Sequence, residues 1–292
     1  MLHRGAVPRK VADTSRPYKE NRLPSLRLPV SRRRRPLLGA AHDGDFRAPH
    51  SHFWCDAADG VRLAGTMLGD PSSTTGVVLA HGFMGYRRKM KNRFLAETLA
   101  QRFRVFAFDM RGHGESGGAC TGGAIEQLDV EAVVAAARRR GLERIVTVGW
   151  SLGGIAVVRH AAQFGGVDGV VAISTPARWT SESKAVRRTT WLFTSPVGRA
   201  LANRVMHTRI DLRTDMPEPP VEAVRRIAAP ILIVHGANDH FFGVDAATEL
   251  YAAAVEPKQL MIREGFGHAE DGFTPDFAAE LADAIVAFSA RV

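Results

Sequence analysis

A chain of 292 residues, 45% of them hydrophobic, is long enough for one sizeable core with a small insertion, and it holds no apolar stretch of membrane-spanning length. Its two cysteines, Cys55 and Cys120, set neither a disulfide framework nor a metal-ligand spacing, so a reducing, cytoplasmic setting is expected. The formal charge of +9 is local: residues 1–50 carry 12 Arg/Lys against 4 Asp/Glu, while the other 242 carry 27 against 26, which argues against a nucleic-acid-binding domain.

Residues 1–48 follow neither the helical nor the strand period and include Pro8, Pro17, Pro24, Pro29 and Pro36 with the run Arg32–Arg35. Such a segment buries too little apolar area to offset its ordering entropy, so a disordered tail is expected. No apolar core of a signal peptide follows the arginines. The run is expected to be a solvated appendage, with weak contact to anionic lipid, peripheral to a membrane, or to nucleic acid as the alternative. Specific nucleic-acid recognition is not expected, because no aromatic side chains interleave with the arginines.

From residue 49 the patterning becomes regular. Phe53-Trp54-Cys55 and Val61–Met67 flank Asp59-Gly60, a hairpin signal placed at one edge of a sheet. Val77–Ala80 is a continuous apolar strand running into His81-Gly82-Phe83-Met84-Gly85, whose glycines allow a bend that turns the Phe83 amide into a site. Helical patterning over 91–101 follows. The basic cluster Arg87, Arg88, Lys89 and Lys91 just ahead of it reads as a solvated rim, with attraction of an anionic substrate as the alternative. Val105–Phe108 is the next strand, ending in Asp109-Met110-Arg111-Gly112-His113-Gly114-Glu115-Ser116, where Asp109 and Arg111 read as braces of the loop and His113 is not taken as a base.

Helical composition spans 124–140, and Ile145–Gly149 reads as a buried strand. It leads into Gly149-Trp150-Ser151-Leu152-Gly153, after which a helix runs to about Phe164. A serine between strand and helix needs glycine two residues to either side, because the turn leaves no room for a Cβ there. Val167–Ile173 is a further strand. Strand and helix alternate at the spacing of right-handed crossovers, so a mainly parallel α/β sheet covered by helices on both faces is expected.

Residues 175–228 break that pattern, with Trp179, Trp191, Val197 and Leu201 among scattered prolines, and are expected to form a small helical cap. The expected core is therefore 49–174 and 229–292. Pro230–His235 returns to strand character and ends in Gly236-Ala237-Asn238-Asp239-His240. Gln259–Ile262 is the last strand and leads to Gly267-His268. A closing amphipathic helix spans 275–288.

Three strand-end loops thus offer Ser151, Asp239 and His268 in that order. A hydroxyl needs a base in the transition state, and the base needs a carboxylate to fix its tautomer. Asp245 and Asp271 are the fallback acids. Oxyanion donors are expected at the Phe83 and Leu152 backbone amides. Met84, Trp150, Trp179, Trp191, His240 and Phe241 are the pocket candidates. No cofactor is expected, and no metal either, since His50 and His52 near Cys55 lack further ligands at a metal-site spacing. The ordered landmarks Val77–Gly82, Asp109–Ser116, Gly149–Gly153, Gly236–Asp239 and Gly267-His268 resemble those of the α/β-hydrolase family, in its cap-bearing serine esterase and lysophospholipase-like branch. The resemblance implies Ser151 as nucleophile, Asp239 as acid and His268 as base. It further implies cleavage of a carboxylic ester, acyl-glycerol or lysophospholipid-like, through an acyl-enzyme. Thioester, amide or peptide cleavage, cofactor-free C–C or haloperoxidase-type chemistry, and non-catalytic ligand binding are the alternatives on the same scaffold.

Overall fold

The computed structural model describes residues 44–179, 183–205, 208–211 and 217–289. The expected basic tail, with Arg32–Arg35, lies outside the described residues except for 44–48. Eight strands form one sheet: β1 (His50–Asp56), β2 (Arg62–Leu68), β3 (Thr75–Ala80), β4 (Arg104–Phe108), β5 (Arg144–Trp150), β6 (Gly169–Ile173), β7 (Ile231–Gly236) and β8 (Lys258–Arg263). Their order is β1-β2-β4-β3-β5-β6-β7-β8. Only β2 runs against its neighbours, as the turn at Asp59-Gly60 requires, and the other pairings are parallel.

Strand alternation divides the core in two. Val78, Ala80, Phe106, Phe108, Ile145, Val170 and Ile233 face one way, onto α2 (Gln127–Arg138), α3 (Leu152–Gln163) and α7 (Val244–Ala253). Val77, Leu79, Val105, Val146, Val148, Val171 and Val234 face the other way, onto α1 (Met90–Leu99) and α8 (Pro275–Ser289). Each such Val, Leu, Ile or Phe side chain, fully buried, contributes roughly 1.5–3 kcal/mol. Burial on both faces explains why these strands read as unbroken apolar runs.

A helical cap insertion interrupts the alternation between β6 and β7. It contains α4 (Lys184–Thr194) and α5 (Pro196–Val205), and α6 (Pro220–Ala223) leads the chain back to α3. Two expected boundaries move for identifiable reasons. The helix expected from residue 124 begins at Gln127, because the buried Glu126 carboxylate accepts from the amides of Thr121 at 2.6 Å and Gly123 at 2.9 Å and organises a turn there. The strand expected from Val167 begins at Gly169, because the Asp168 carboxylate takes the Ile145 amide at 2.7 Å. No helix among the described residues is long and apolar enough to cross a membrane.

Candidate active site

Ser151 occupies the turn between β5 and α3 with φ 52° and ψ −116°, a conformation that costs a side-chain-bearing residue on the order of 1–3 kcal/mol. Neighbouring glycines make it possible. A Cβ at Gly149 would run into the Gly153 carbonyl oxygen, and one at Gly153 into the carbonyl oxygen of Ala80 at the end of β3. The Ser151 amide donates to the Ile173 carbonyl at 2.9 Å, which fixes the turn against the end of β6. Gly82 lies beside it, close enough that a Cβ there would meet the Ser151 Cβ at 3.4 Å. Leu152 begins α3, so its amide belongs to the positive end of that helix.

His268 Nδ1 lies 2.8 Å from Asp239 Oδ2. Asp239 has no exposed side-chain surface, whereas 12% of the His268 side chain remains open. Burial alone would raise the Asp239 pKa; the hydrogen bond and charge of His268, with the amides of Phe242 and Phe241, outweigh it and hold the carboxylate below its ordinary value. Those amides reach Oδ1 at 3.1 Å and 2.8 Å, leaving Oδ2 to the ring. Gly236 lets the two loops meet, since a Cβ there would strike the carbonyl oxygens of Phe266 and Gly267. The histidine loop is anchored in turn by the Ala269 amide, which donates to Ser174 Oγ at 3.0 Å. Serine loop and histidine loop are thus pinned to adjacent residues, 173 and 174. Ser151 Oγ makes no hydrogen bond among the described residues. Asp271, a fallback acid, takes the His268 backbone amide at 3.2 Å rather than its ring.

The loop after β3 is braced from below. His81 donates through Nδ1 to the Gly82 carbonyl at 2.8 Å and accepts the Met110 amide at Nε2 at 2.9 Å. His113 repeats the scheme with the Arg111 carbonyl at 2.9 Å and the Met84 amide at 3.2 Å. Both rings are fully enclosed and neutral, for burial lowers His81 to about 4 and His113 to about 3. Arg111 is held by Asp129, at 2.7 Å from Nη2, and by Asp59, at 2.6 Å from Nη1.

The basic cluster differs from its expected role. Arg87 is buried and bonded to Asp109, Glu115 and Thr66, Lys89 pairs with Glu270 at 3.1 Å, and Lys91 donates to the Phe273 carbonyl at 3.3 Å. Neither a solvated rim nor a receptor for an anionic substrate describes Arg87.

Pocket candidates separate in the same way. Phe241 packs at a tilt, 4.4 Å from the His268 ring, and His240 lies 6.2 Å from it. Phe242, missed in the sequence, packs at 5.6 Å. Met84 adopts φ 59° beside the bent loop. Trp179 packs onto the core and donates to the Pro217 carbonyl at 2.7 Å, and Trp191 is 50% exposed on α4. Trp150 requires a correction: it shares a strand face with Val146 and Val148, is 1% exposed, and packs edge-on against Phe273 in the core. Ser183 joins the cap to this region, capping α4 while donating to the His240 carbonyl at 2.9 Å.

A mainly parallel sheet with a strained serine between strand and helix, and a histidine–aspartate pair on neighbouring strand-end loops, defines an α/β fold of hydrolytic type. Residues 77–288 match the Alpha/beta hydrolase family, and the chain belongs to it. The chain is 29% identical over 254 residues to the uncharacterized protein YfhR of Salmonella typhi, covering 80% of this chain and 78% of that one. It is 26% identical over 217 residues to the uncharacterized protein Rv2307c of Mycobacterium tuberculosis, covering 73% and 70%. In fold it resembles the Pyrococcus furiosus esterase Pf2001, with a TM-score of 0.66 at 21% identity, covering 84% of this chain and 93% of the other. The esterase RhEst1 from Rhodococcus sp. gives a TM-score of 0.61 at 21% identity, covering 82% and 99%.

Proposed function

We propose that this protein is a serine hydrolase that cleaves a carboxylic ester, acyl-glycerol or lysophospholipid-like, through an acyl-enzyme. The observation that carries the proposal is the 2.8 Å His268–Asp239 pair on a loop tied to Ser174, beside the residue that receives the Ser151 amide. Ser151 Oγ attacks the ester carbonyl carbon and its proton passes to His268 Nε2. Asp239 holds the proton on Nδ1 and stabilises the imidazolium. The oxyanion is received at the amides of Leu152 and Phe83, each such donor being worth about 3 kcal/mol of transition-state stabilisation. The imidazolium then protonates the departing alcohol, and a water activated by the same ring releases the acid. Residues 175–228 serve as the lid, and the apolar Phe241 and Trp179 support an acyl chain as the group to be accommodated. The esterase names of two proteins of similar fold point the same way.

The test is fluorophosphonate labelling combined with turnover of short- and long-chain p-nitrophenyl esters. The wild type is expected to carry the label on Ser151 and to hydrolyse the esters, and Ser151→Ala to do neither. Labelling or turnover that persists in Ser151→Ala refutes the assignment.

A further inference from the structure

The outer strand β1 is separated from the serine-bearing β5 by three strands. His50 and His52 lie two residues apart on it, so the pleat sends both rings to the same face. Cys55 falls on the opposite face, packed in the core, with its thiol pushed up to about 11 by burial. A third group arrives from the segment before the strand. Phe46 is buried and anchors that segment, its amide donating to Asp45 Oδ1 at 2.9 Å, while Arg93 Nη1 holds the Asp45 carbonyl at 3.1 Å. The carboxylate is thereby presented to the two rings. Oδ1 lies 3.5 Å from His50 Nε2 and Oδ2 lies 3.8 Å from His52 Nε2, and the three groups offer ligand atoms within 4.8 Å of one another.

The far nitrogens of the rings decide what faces the carboxylate. His50 Nδ1 is 2.9 Å from the Ala48 carbonyl oxygen, which only accepts, so Nδ1 carries a hydrogen. That leaves Nε2 as the ring atom facing Asp45. His52 stands opposite Thr66 in the ladder, and its Nδ1 is 3.1 Å from Thr66 Oγ1, an oxygen that also accepts Arg87 Nε–H at 3.0 Å. The nearby guanidinium of Arg88 is paired with Glu115 at 3.1 Å. Anchoring the remote ring nitrogen on a carbonyl or hydroxyl is also how proteins orient metal-ligating histidines.

We propose that Asp45, His50 and His52 form a binding site for a borderline divalent transition-metal ion, with Zn2+ as its reference probe. Ligation at about 2.0–2.2 Å from each atom needs only small rotations of the three side chains. All three are partly exposed, so water completes the coordination shell. The ion clasps residues 45–48 onto the sheet's edge and takes no part in chemistry at Ser151. Sequence spacing concealed the site because its third ligand precedes the strand and is delivered by the turn at Phe46.

Full-length protein stripped with EDTA and titrated calorimetrically with ZnCl2 tests the site, with thermal melts run alongside. The wild type is expected to bind one saturating equivalent and to melt at a higher temperature with Zn2+. His50→Gln/His52→Gln should bind at least tenfold more weakly and lose the shift in Tm, and Asp45→Asn should weaken binding as well. These substitutions lie outside the core, and the metal-free Tm of each variant verifies that the fold is intact. No saturable binding up to about 100 µM Zn2+, or an isotherm unchanged in the double variant, overturns the proposal and leaves an ordinary Asp–His ion pair.

Discussion

Acid should loosen this fold at two identified rings. His81 and His113 sit 5.0 Å apart beneath the loop after β3, each donating through Nδ1 to a carbonyl and accepting a backbone amide at Nε2. Their folded values of about 4 and about 3 lie below the unfolded value of 6.5, so each ring contributes stability that is complete above pH 6.5. The contribution drains away as the pH falls from there through the folded values, since the unfolded chain then binds protons that the native chain refuses. At 1.36 kcal/mol per unit, the full loss is roughly 3 kcal/mol for His81 and roughly 5 kcal/mol for His113. By pH 5 about 2 kcal/mol from each has gone, a large part of a total stability of about 5–15 kcal/mol. Carboxylates with depressed values, such as Asp239, lose their contributions only below about pH 4, whereas Asp129, pushed up to about 7 by burial, gains stability as the pH falls through this window and offsets part of the imidazole loss. Urea denaturation at pH 8, 7, 6 and 5 should show the wild type losing about 2 kcal/mol more between pH 8 and pH 5 than His113→Gln does. A His113→Gln variant whose stability changes between pH 8 and pH 5 as much as that of the wild type refutes the assignment of a neutral buried ring.

Asp239→Asn should lower kcat on a p-nitrophenyl ester by about 10³–10⁴-fold, through loss of the carboxylate 2.8 Å from His268 Nδ1; a decrease under about tenfold removes Asp239 from the mechanism. Gly153→Ala should destabilise the protein by about 3 kcal/mol or more, because its methyl group meets the Ala80 carbonyl at the end of a central strand; an unchanged urea midpoint contradicts the geometry. Arg111→Met should cost about 3–5 kcal/mol, since it strands the fully buried Asp129, and a midpoint shift equivalent to less than about 1 kcal/mol would show that water replaces the guanidinium without penalty.

The central strands were legible because burial on both faces leaves an unbroken apolar run, as in Val77–Ala80 and Ile231–Val234. The serine turn was legible because its glycines are a steric requirement written into adjacent positions. The histidine–aspartate pair could be expected from strand-end placement, whereas its support from Phe242 and Ser174 could not, since those contacts join separate loops. Trp150 was misplaced by its nearness to Ser151 in the chain. The signal for its true direction was present in the period-two alternation with Val146 and Val148. Arg87 illustrates the opposite limit: four neighbouring basic residues look alike in sequence, and only the position of Asp109 at the end of the adjacent strand β4 selects one of them for burial. Asp45 was invisible for the same reason.

The cap is sewn to the body at both ends. Near its start Ser183 bonds the His240 carbonyl, one residue from the catalytic acid candidate. Toward its end the Arg209 amide donates to the Gly112 carbonyl at 2.8 Å, and Cys120 bridges to Ile210. A transplant of the helical cassette into a relative, made to change which substrates enter, therefore brings foreign stitches to the acid-bearing turn and to the 112–120 loop. Those seams belong to the cassette, and chimaeras that carry them along will keep their acid aligned where chimaeras cut flush at the helices will not.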